Sequence, residues 1–423
     1  MINPIANWWR SQQFKLAVIR GDTRKSLQIL HDIQKSGARF SWLEKLFRDR
    51  IKFERLYQEY KDNNKNLKEK QESKANLGLI PNKQFIDFVC KEFNLVKHDQ
   101  YKLQCTGIQK HIFEDLEVNL VEYINDEFSR FSQQKLMIKI EDAIDDIDGL
   151  KKGKDPDYRF SLTPHVYFMK YFLDNVYCVY LAWFLIYQDG LINNKINILD
   201  IAAGPGTVAY SLALLLQSIS EFTPLPQTHI SYYSLEKQDS FQYRGLQFWR
   251  KYIESQTKPI NTYYRFVTTD ILNWQQKPSN LPENFFDFIV ISHCFFSDPD
   301  VRLQAHNTYK QIFETGLNEE GYVLLIIQDK KLFKIYNLKL REDQEQEKNT
   351  VIKFVSELGL KLVWYQYLTS RDSRNPCSAV KFAQFAEHNL PKQVYMTPLL
   401  QKYFGQKYQS SYTLDDYVIL AKK

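Results

Sequence analysis

From residue 196 onward the chain carries seven short apolar runs that leave few choices of architecture. They are INILDI (196–201), HISYYSLE (229–236), YYRFVTTD (263–270), FDFIVIS (286–292), YVLLIIQ (322–328), KLVWYQYL (361–368) and DYVILAK (416–422). Runs apolar at nearly every position are strands buried on both faces, and helical stretches separate the first five. A strand that is followed by a helix and then by a parallel neighbour builds a sheet with helices on both sides. No clear crossover helix lies between the last two runs, so the seventh strand is expected to run antiparallel. The expectation is an α/β fold, a doubly wound, seven-stranded Rossmann-like sheet.

The residues before this pattern read as helices. Asn3 and Pro4 open one that Gly21 closes, Leu27, Leu30 and Ile33 line a second, and Ser41 with Glu44 forms a capping box for a third. A lysine-rich polar stretch follows, and another helical region covers about Pro81 to Ile147. Within that region EDAIDDIDG fails as a calcium loop, because Ile144 stands where an acidic ligand is needed. GLKKGKDPD (149–157) reads as a boundary. The expected organisation is an all-helical N-terminal domain (1–150) and a sheet domain (158–423) with an insertion at 370–412. Residues 1–80 hold 17 basic and 9 acidic side chains, a net of +8, whereas the rest nets −2. That asymmetry suits an anionic partner, RNA or protein, and equally a solvated helical face.

Five scattered cysteines with no CxxC argue against a disulfide scaffold or a zinc knuckle and for a reducing cytoplasm. The longest apolar run, Val176 to Tyr187, is too short to span a bilayer, so no membrane association is expected. Tyr167, Tyr171, Tyr177, Tyr180, Trp183 and Tyr187 crowd the segment before the first strand and read as packing residues over the sheet.

The first strand ends in DIAAGPGT, placing Asp200 before a turn that holds Gly204 and Gly206. The chain has only 14 glycines, so two of them one residue apart mark a place where backbone must approach a ligand closely. The second strand ends in Glu236, whose carboxylate can accept two ribose hydroxyls, and the third in Asp270, able to accept from an adenine amine. At these residues the chain resembles the class I S-adenosylmethionine-dependent methyltransferases, over about residues 160 to 423. Ala202 stands where that family often has its first glycine, a change that asks only for an ordinary dihedral. The resemblance implies S-adenosylmethionine as cofactor: Asp200 toward the methionine amino group, Ala202, Gly204 and Gly206 bringing backbone against it, Glu236 on the ribose, and Asp270 with the Ile271 backbone on the adenine. The rival reading is a dinucleotide fold, whose fingerprint survives weakly in Gly204, Gly206 and Ala209.

The fourth strand ends in ISHCFFSDPD and lacks the prolines that accompany methylation of exocyclic base nitrogens in the family. His293 is the weak candidate for a general base; packing beside the cofactor is its blander role. The segment has no metal-ligand spacing, and no metal is expected. Arg371, Arg374 and Lys381 in the insertion would suit an anionic acceptor. The expected activity is methyl transfer to an unknown acceptor, RNA or protein slightly preferred. The rivals are a small-molecule O- or C-methyltransferase and a non-catalytic scaffold that keeps the cofactor fold.

Overall fold

The computed structural model describes residues 4–19, 23–35, 78–151, 158, 160–226, 228–256, 260–274, 281–339, 341–374 and 377–423. The chain divides into two compact units, residues 1–75 and 76–423. In the first, helices Pro4–Ile19 and Thr23–Lys35 bury Phe14 and Ala17 together with Ile29, Leu30 and Ile33. The helix expected from Ser41 and the polar stretch after it lie outside the described residues, as do the side chains of Trp8 and Trp9.

The second unit is built on one mixed sheet of nine strands: β1 (Leu95–Lys97), β2 (Lys102–Cys105), β3 (Lys195–Ile201), β4 (His229–Glu236), β5 (Asn261–Thr268), β6 (Phe286–Ser292), β7 (Leu317–Gln328), β8 (Lys361–Thr369) and β9 (Asp415–Lys422). Their order is β1-β2-β8-β9-β7-β6-β3-β4-β5. β3 pairs in parallel with β4 and β6, β4 with β5, and β6 with β7. β9 lies antiparallel between β7 and β8, as expected, although the segment before it does hold two helices, Ala379–Asn389 and Thr397–Phe404.

Alternate residues of the central strands β3, β4, β6, β7 and β9 feed two separate cores, which is why those runs are apolar throughout, whereas β5 at the sheet edge has no fully buried residue. Ile198, Val290, Leu324 and Val418 face one core; Leu199, Ile289, Leu325 and Ile419 face the other. The first core is covered by helices Lys83–Glu92, Lys110–Phe128, Gln133–Lys151, Leu173–Gln188, Thr207–Ser220 and Asp239–Tyr252. The second lies under Pro299–Gly316, Asp329–Ile335 and Gln344–Glu357.

Two expectations need correction. The sheet has nine strands, because β1 and β2 form a hairpin that adds to β8 through β2. Strands of three and four residues carry too little periodicity to show in sequence; their turn is set by Asp99, which accepts the backbone N–H groups of Tyr101 and Lys102 at 2.7 Å each. The N-terminal portion is therefore not all-helical. Nor do contacts divide the chain near residue 150, since Phe85, Phe113, Leu120 and Ile140 share one core with Tyr177 and Val208. A buried carboxylate strengthens that union: Glu117 accepts the N–H groups of Tyr395 and Met396 at 2.8 Å, joining helix Lys110–Phe128 to the insertion between β8 and β9. Among the described residues no helix is long and apolar enough to cross a membrane.

Gly245, inside helix Asp239–Tyr252, fixes the turn after β3. A Cβ there would stand 2.1 Å from the Pro205 carbonyl oxygen, so the helix rests directly on the turn's backbone. Tyr210, one turn into the next helix, donates to the Gly245 carbonyl at 2.8 Å and holds the same approach. Replacing Gly245 with alanine is expected to lower unfolding stability by about 1–3 kcal/mol, the usual range for overpacking, measured by urea denaturation.

A pH dependence follows from three buried carboxyls. Burial raises Glu117, Asp174 and Asp329 to about 7 each. Unfolded carboxyls ionise near pH 4, so above that the native state holds more protons than the unfolded chain, and stability falls as pH rises through about 7. Buried His165 and His306 are shifted downward and act oppositely, an effect that fades as pH rises past their ordinary value near 6.5, where the three carboxyls still titrate. The thermal midpoint of the whole chain should therefore be higher at pH 6.5 than at pH 8, by calorimetry or circular dichroism; an unchanged midpoint would contradict the assignment.

Candidate functional site

The strand order reverses at β3: the chain places β4 and β5 on one side, then returns to lay β6 and β7 on the other. Ligands in open α/β sheets bind beyond the carboxyl ends of strands at such a switch point. A cavity of about 360 Å³ lies there, walled by Ala202 and Gly204 after β3, Glu236 and Lys237 at the end of β4, Thr269 to Leu272 after β5, Ser292 to Phe296 after β6, and Gln328 after β7. The volume falls in the usual range for small-molecule sites, about 300–1,000 Å³.

Ala202, Gly204, Glu236, Asp270, Ile271 and His293, all picked out from sequence, meet in this cavity. Gly204 has φ +53°, and a Cβ built on it meets nothing within 4 Å, which leaves backbone facing open space. Its N–H donates to Glu236 Oε2 at 2.8 Å, and the Gln238 N–H to Oε1 at 3.0 Å, so the carboxylate is fixed between turn and strand end. Asp270 caps the short turn Ile271–Asn273, accepting the Leu272 N–H at 3.0 Å, and lies 3.5 Å from the Lys237 ammonium.

Asp200 and Gly206 are not in the wall. Asp200 is 1% exposed and accepts the Tyr232 hydroxyl, while its Oδ1 is buried with no hydrogen-bond partner. Burial pushes its carboxyl up to about 8. Gly206, at φ +86°, begins helix Thr207–Ser220, with the Tyr232 hydroxyl 3.6 Å from where a Cβ would stand. Tyr232 thus supports the turn from below. Both residues shape the site from beneath it, and neither forms its surface.

Ala202 departs from its expected dihedral. Its φ is +57°, in the left-handed region that disfavours a Cβ by roughly 1–2 kcal/mol. His293 (φ +63°) and Tyr158 (φ +53°) share that region, and both line the same cavity. Among the described residues the other non-glycine positive φ values belong to asparagines, which tolerate it. Backbone strain gathered around one cavity is the pattern found at functional surfaces.

His293 is held at both ring nitrogens: Nδ1 lies 2.9 Å from Ser292 Oγ and Nε2 lies 3.0 Å from Asp416 Oδ1. Its backbone N–H donates to the Ile326 carbonyl at 2.8 Å. Asp416, in β9, is 123 residues away in sequence, and no local pattern announces the pairing.

The opposite wall is aromatic. Tyr158, Tyr167, Tyr171 and Phe241 line it, with Tyr158 and Tyr167 edge-on to Phe241 at 5.3 and 5.2 Å. A π-helical turn, Phe168–Phe172, sits in the helical segment that carries Tyr167, Tyr171 and Asn175 to the cavity, and the Asn175 amide donates to the Tyr167 hydroxyl at 3.1 Å. Sequence assigns the tyrosines of this segment to packing. Tyr177, Tyr180, Trp183 and Tyr187 are fully buried, whereas Tyr167 and Tyr171 are partly buried, packing against the same core and lining the cavity as well. The polar tips at 167, 171 and 175, four residues apart amid Phe168, Met169, Phe172 and Val176, are the signal that separates the two sets.

In the insertion, Arg374 is also not where sequence puts it. It is 4% exposed, bonded to Glu347 and stacked on Tyr367 at 4.2 Å, and so holds the insertion to the sheet rather than awaiting an anion. Arg371 is half-buried and Lys381 exposed.

No family model matches the sequence, and no curated protein matches it. Solved structures that resemble the chain are S-adenosylmethionine-dependent methyltransferases. One from Methanosarcina mazei is 13% identical, covering 56% of this chain and 96% of its own, with a TM-score of 0.31. A loganic acid methyltransferase solved with S-adenosylhomocysteine is 9% identical, covering 60% and 92%, at 0.29. An arsenic(III) S-adenosylmethionine methyltransferase from Chlamydomonas reinhardtii is 12% identical, covering 53% and 62%, at 0.28.

Proposed function

We propose that the chain is an S-adenosylmethionine-dependent methyltransferase. The observation that carries this reading is the cavity at the switch point, where the open backbone of Gly204, the Glu236 carboxylate and Asp270 share one wall. The residues present fit the cofactor: Gly204 leaves room for it, Glu236 offers acceptor capacity for two ribose hydroxyls, and Asp270 with the Ile271 backbone reads an adenine edge. When bound, the cofactor supplies a methyl group on a positively charged sulfur. The protein's share is placement, because holding donor and acceptor in line removes most of the entropic barrier. The aromatic wall suits a flat or cationic ligand, since ring faces attract positive charge. His293, oriented by Asp416 and Ser292, is the side chain able to take a proton from an acceptor that must lose one.

For the acceptor, the +8 balance of residues 1–80 supports an anionic macromolecule, RNA or protein. The aromatic wall and modest volume of the cavity support the second reading, a small-molecule O- or C-methyltransferase. The five free cysteines accord with a reducing cytoplasm.

Calorimetry with S-adenosylmethionine and S-adenosylhomocysteine tests the reading. Gly204→Val should abolish binding of both, because the new side chain fills open cavity, and its left-handed backbone should cost roughly 1–2 kcal/mol of stability, with circular dichroism to verify that the protein stays folded. Glu236→Ala should weaken binding by about 1.5–3 kcal/mol, the range for hydrogen bonds to a charged group. Unchanged affinity in the Gly204 variant would overturn the site. Incubation with methyl-labelled cofactor and extract separated into RNA, protein and metabolites should put label in one fraction with wild type and in none with Gly204→Val. Binding without labelling of any fraction would favour a scaffold that keeps the fold.

A further inference from the structure

Three residues far apart in sequence meet beside the cavity. Cys178 comes from helix Leu173–Gln188, His293 from the end of β6 and Asp416 from β9. A sulfur, a ring nitrogen and a carboxylate oxygen, one from each, all lie within 4.8 Å of one another. A tetrahedral dication bound through S, N and O would space these atoms roughly 3.3–3.8 Å apart, given bonds of about 2.0–2.3 Å. Side-chain adjustment alone covers the difference.

The surroundings favour a cation. Asp416 is buried, and Asp174 lies on the same helix one turn before Cys178. Asp174 is held by neutral donors, the Gln393 amide at 2.9 Å and the Thr413 hydroxyl at 3.5 Å. Among the described residues neither carboxylate forms an ion pair with a lysine or arginine. The outer support of a metal-binding histidine is present as well. A ligating ring nitrogen needs its partner nitrogen to donate elsewhere, and Ser292 Oγ, 2.9 Å from Nδ1, can accept that bond and leave Nε2 for the ion.

We propose that Cys178, His293 and Asp416 bind a transition-metal dication of the zinc type at the edge of the cavity. Thiolate, imidazole and carboxylate together select zinc, cobalt or iron over magnesium and calcium, which take oxygen ligands only. On binding, the Cys178 thiol gives its proton to solvent, and Asp416 exchanges its hydrogen bond with His293 Nε2 for the metal. His293 also lines the cavity, so the ion stands where an acceptor group can approach it. An acceptor hydroxyl on the ion would be acidified and would lose its proton to solvent, so that His293, with Nε2 on the ion, would not be needed as the base.

The test uses the full-length protein, reduced, stripped by chelator and titrated with Co²⁺. One equivalent should bind and give a thiolate-to-cobalt charge-transfer band in the near ultraviolet, which Zn²⁺ then abolishes by displacement. Cys178→Ser should lose the band, Asp416→Asn should weaken cobalt affinity at least tenfold, and Cys90→Ser should change neither. Circular dichroism verifies that each variant is folded, and the near-isosteric Asp416→Asn keeps the test decisive if Cys178→Ser is not. Absence of the band in folded wild type, or its persistence in folded Cys178→Ser, would overturn the proposal and leave a hydrogen-bonded His293–Asp416 pair beside a buried thiol. Cofactor calorimetry on the same preparation is independent of this result, so the metal site and the methyl-transfer reading can fail separately.

Discussion

The close approach of helix Asp239–Tyr252 to the turn after β3 is the constraint on which the site depends. With Gly245 against the Pro205 backbone above and the Tyr232 hydroxyl beneath Gly206, the turn has no freedom to relax. Gly204 is consequently held with its N–H on Glu236 and its Cα toward open space. The strand ends on either side then converge on that fixed point: Glu236 and Asp270 from one half of the sheet, His293 from the other. Binding surfaces built on strand ends gain their precision from the sheet, whose register cannot slip without turning both cores inside out.

Strain at Ala202, His293 and Tyr158 fits the same picture. Each holds a left-handed backbone that its side chain disfavours. Ala202 follows directly on β3, and His293 is pulled into place by Ile326 through its backbone and by Asp416 through its ring. Such positions persist only where the surrounding packing is strong enough to impose them.

Much of this architecture was legible in the sequence, for a physical reason. A strand buried on both faces must be apolar at every position, so β3, β6, β7 and β9 announce themselves. The glycine turn did too, because a glycine-poor chain concentrates glycines only where backbone geometry demands it. The hairpin β1–β2 was not legible, being too short to show a period. Asp416 and Cys178 were invisible for another reason: their meeting with His293 is a product of topology, across 115 and 123 residues, and local spacing has no trace of it. Arg374 misled because a charged side chain in a polar segment reads as surface until its partner, Glu347, is seen beside it.

The position of β9 has a consequence for how the protein is made. It lies between β7 and β8, so during synthesis β3 to β7 can assemble while β8, with the hairpin that pairs on its other side, has no strand linking it to β7. Until residues 415–422 leave the ribosome, β7 and β8 each expose an edge lined by apolar side chains. Unpaired edges of that kind recruit other strands. The nascent chain is therefore most prone to aggregation in the interval of some 45 residues between the end of β8 and the start of β9. Asp416 arrives with the strand that closes the sheet, so His293 acquires its carboxylate partner only once that gap is filled.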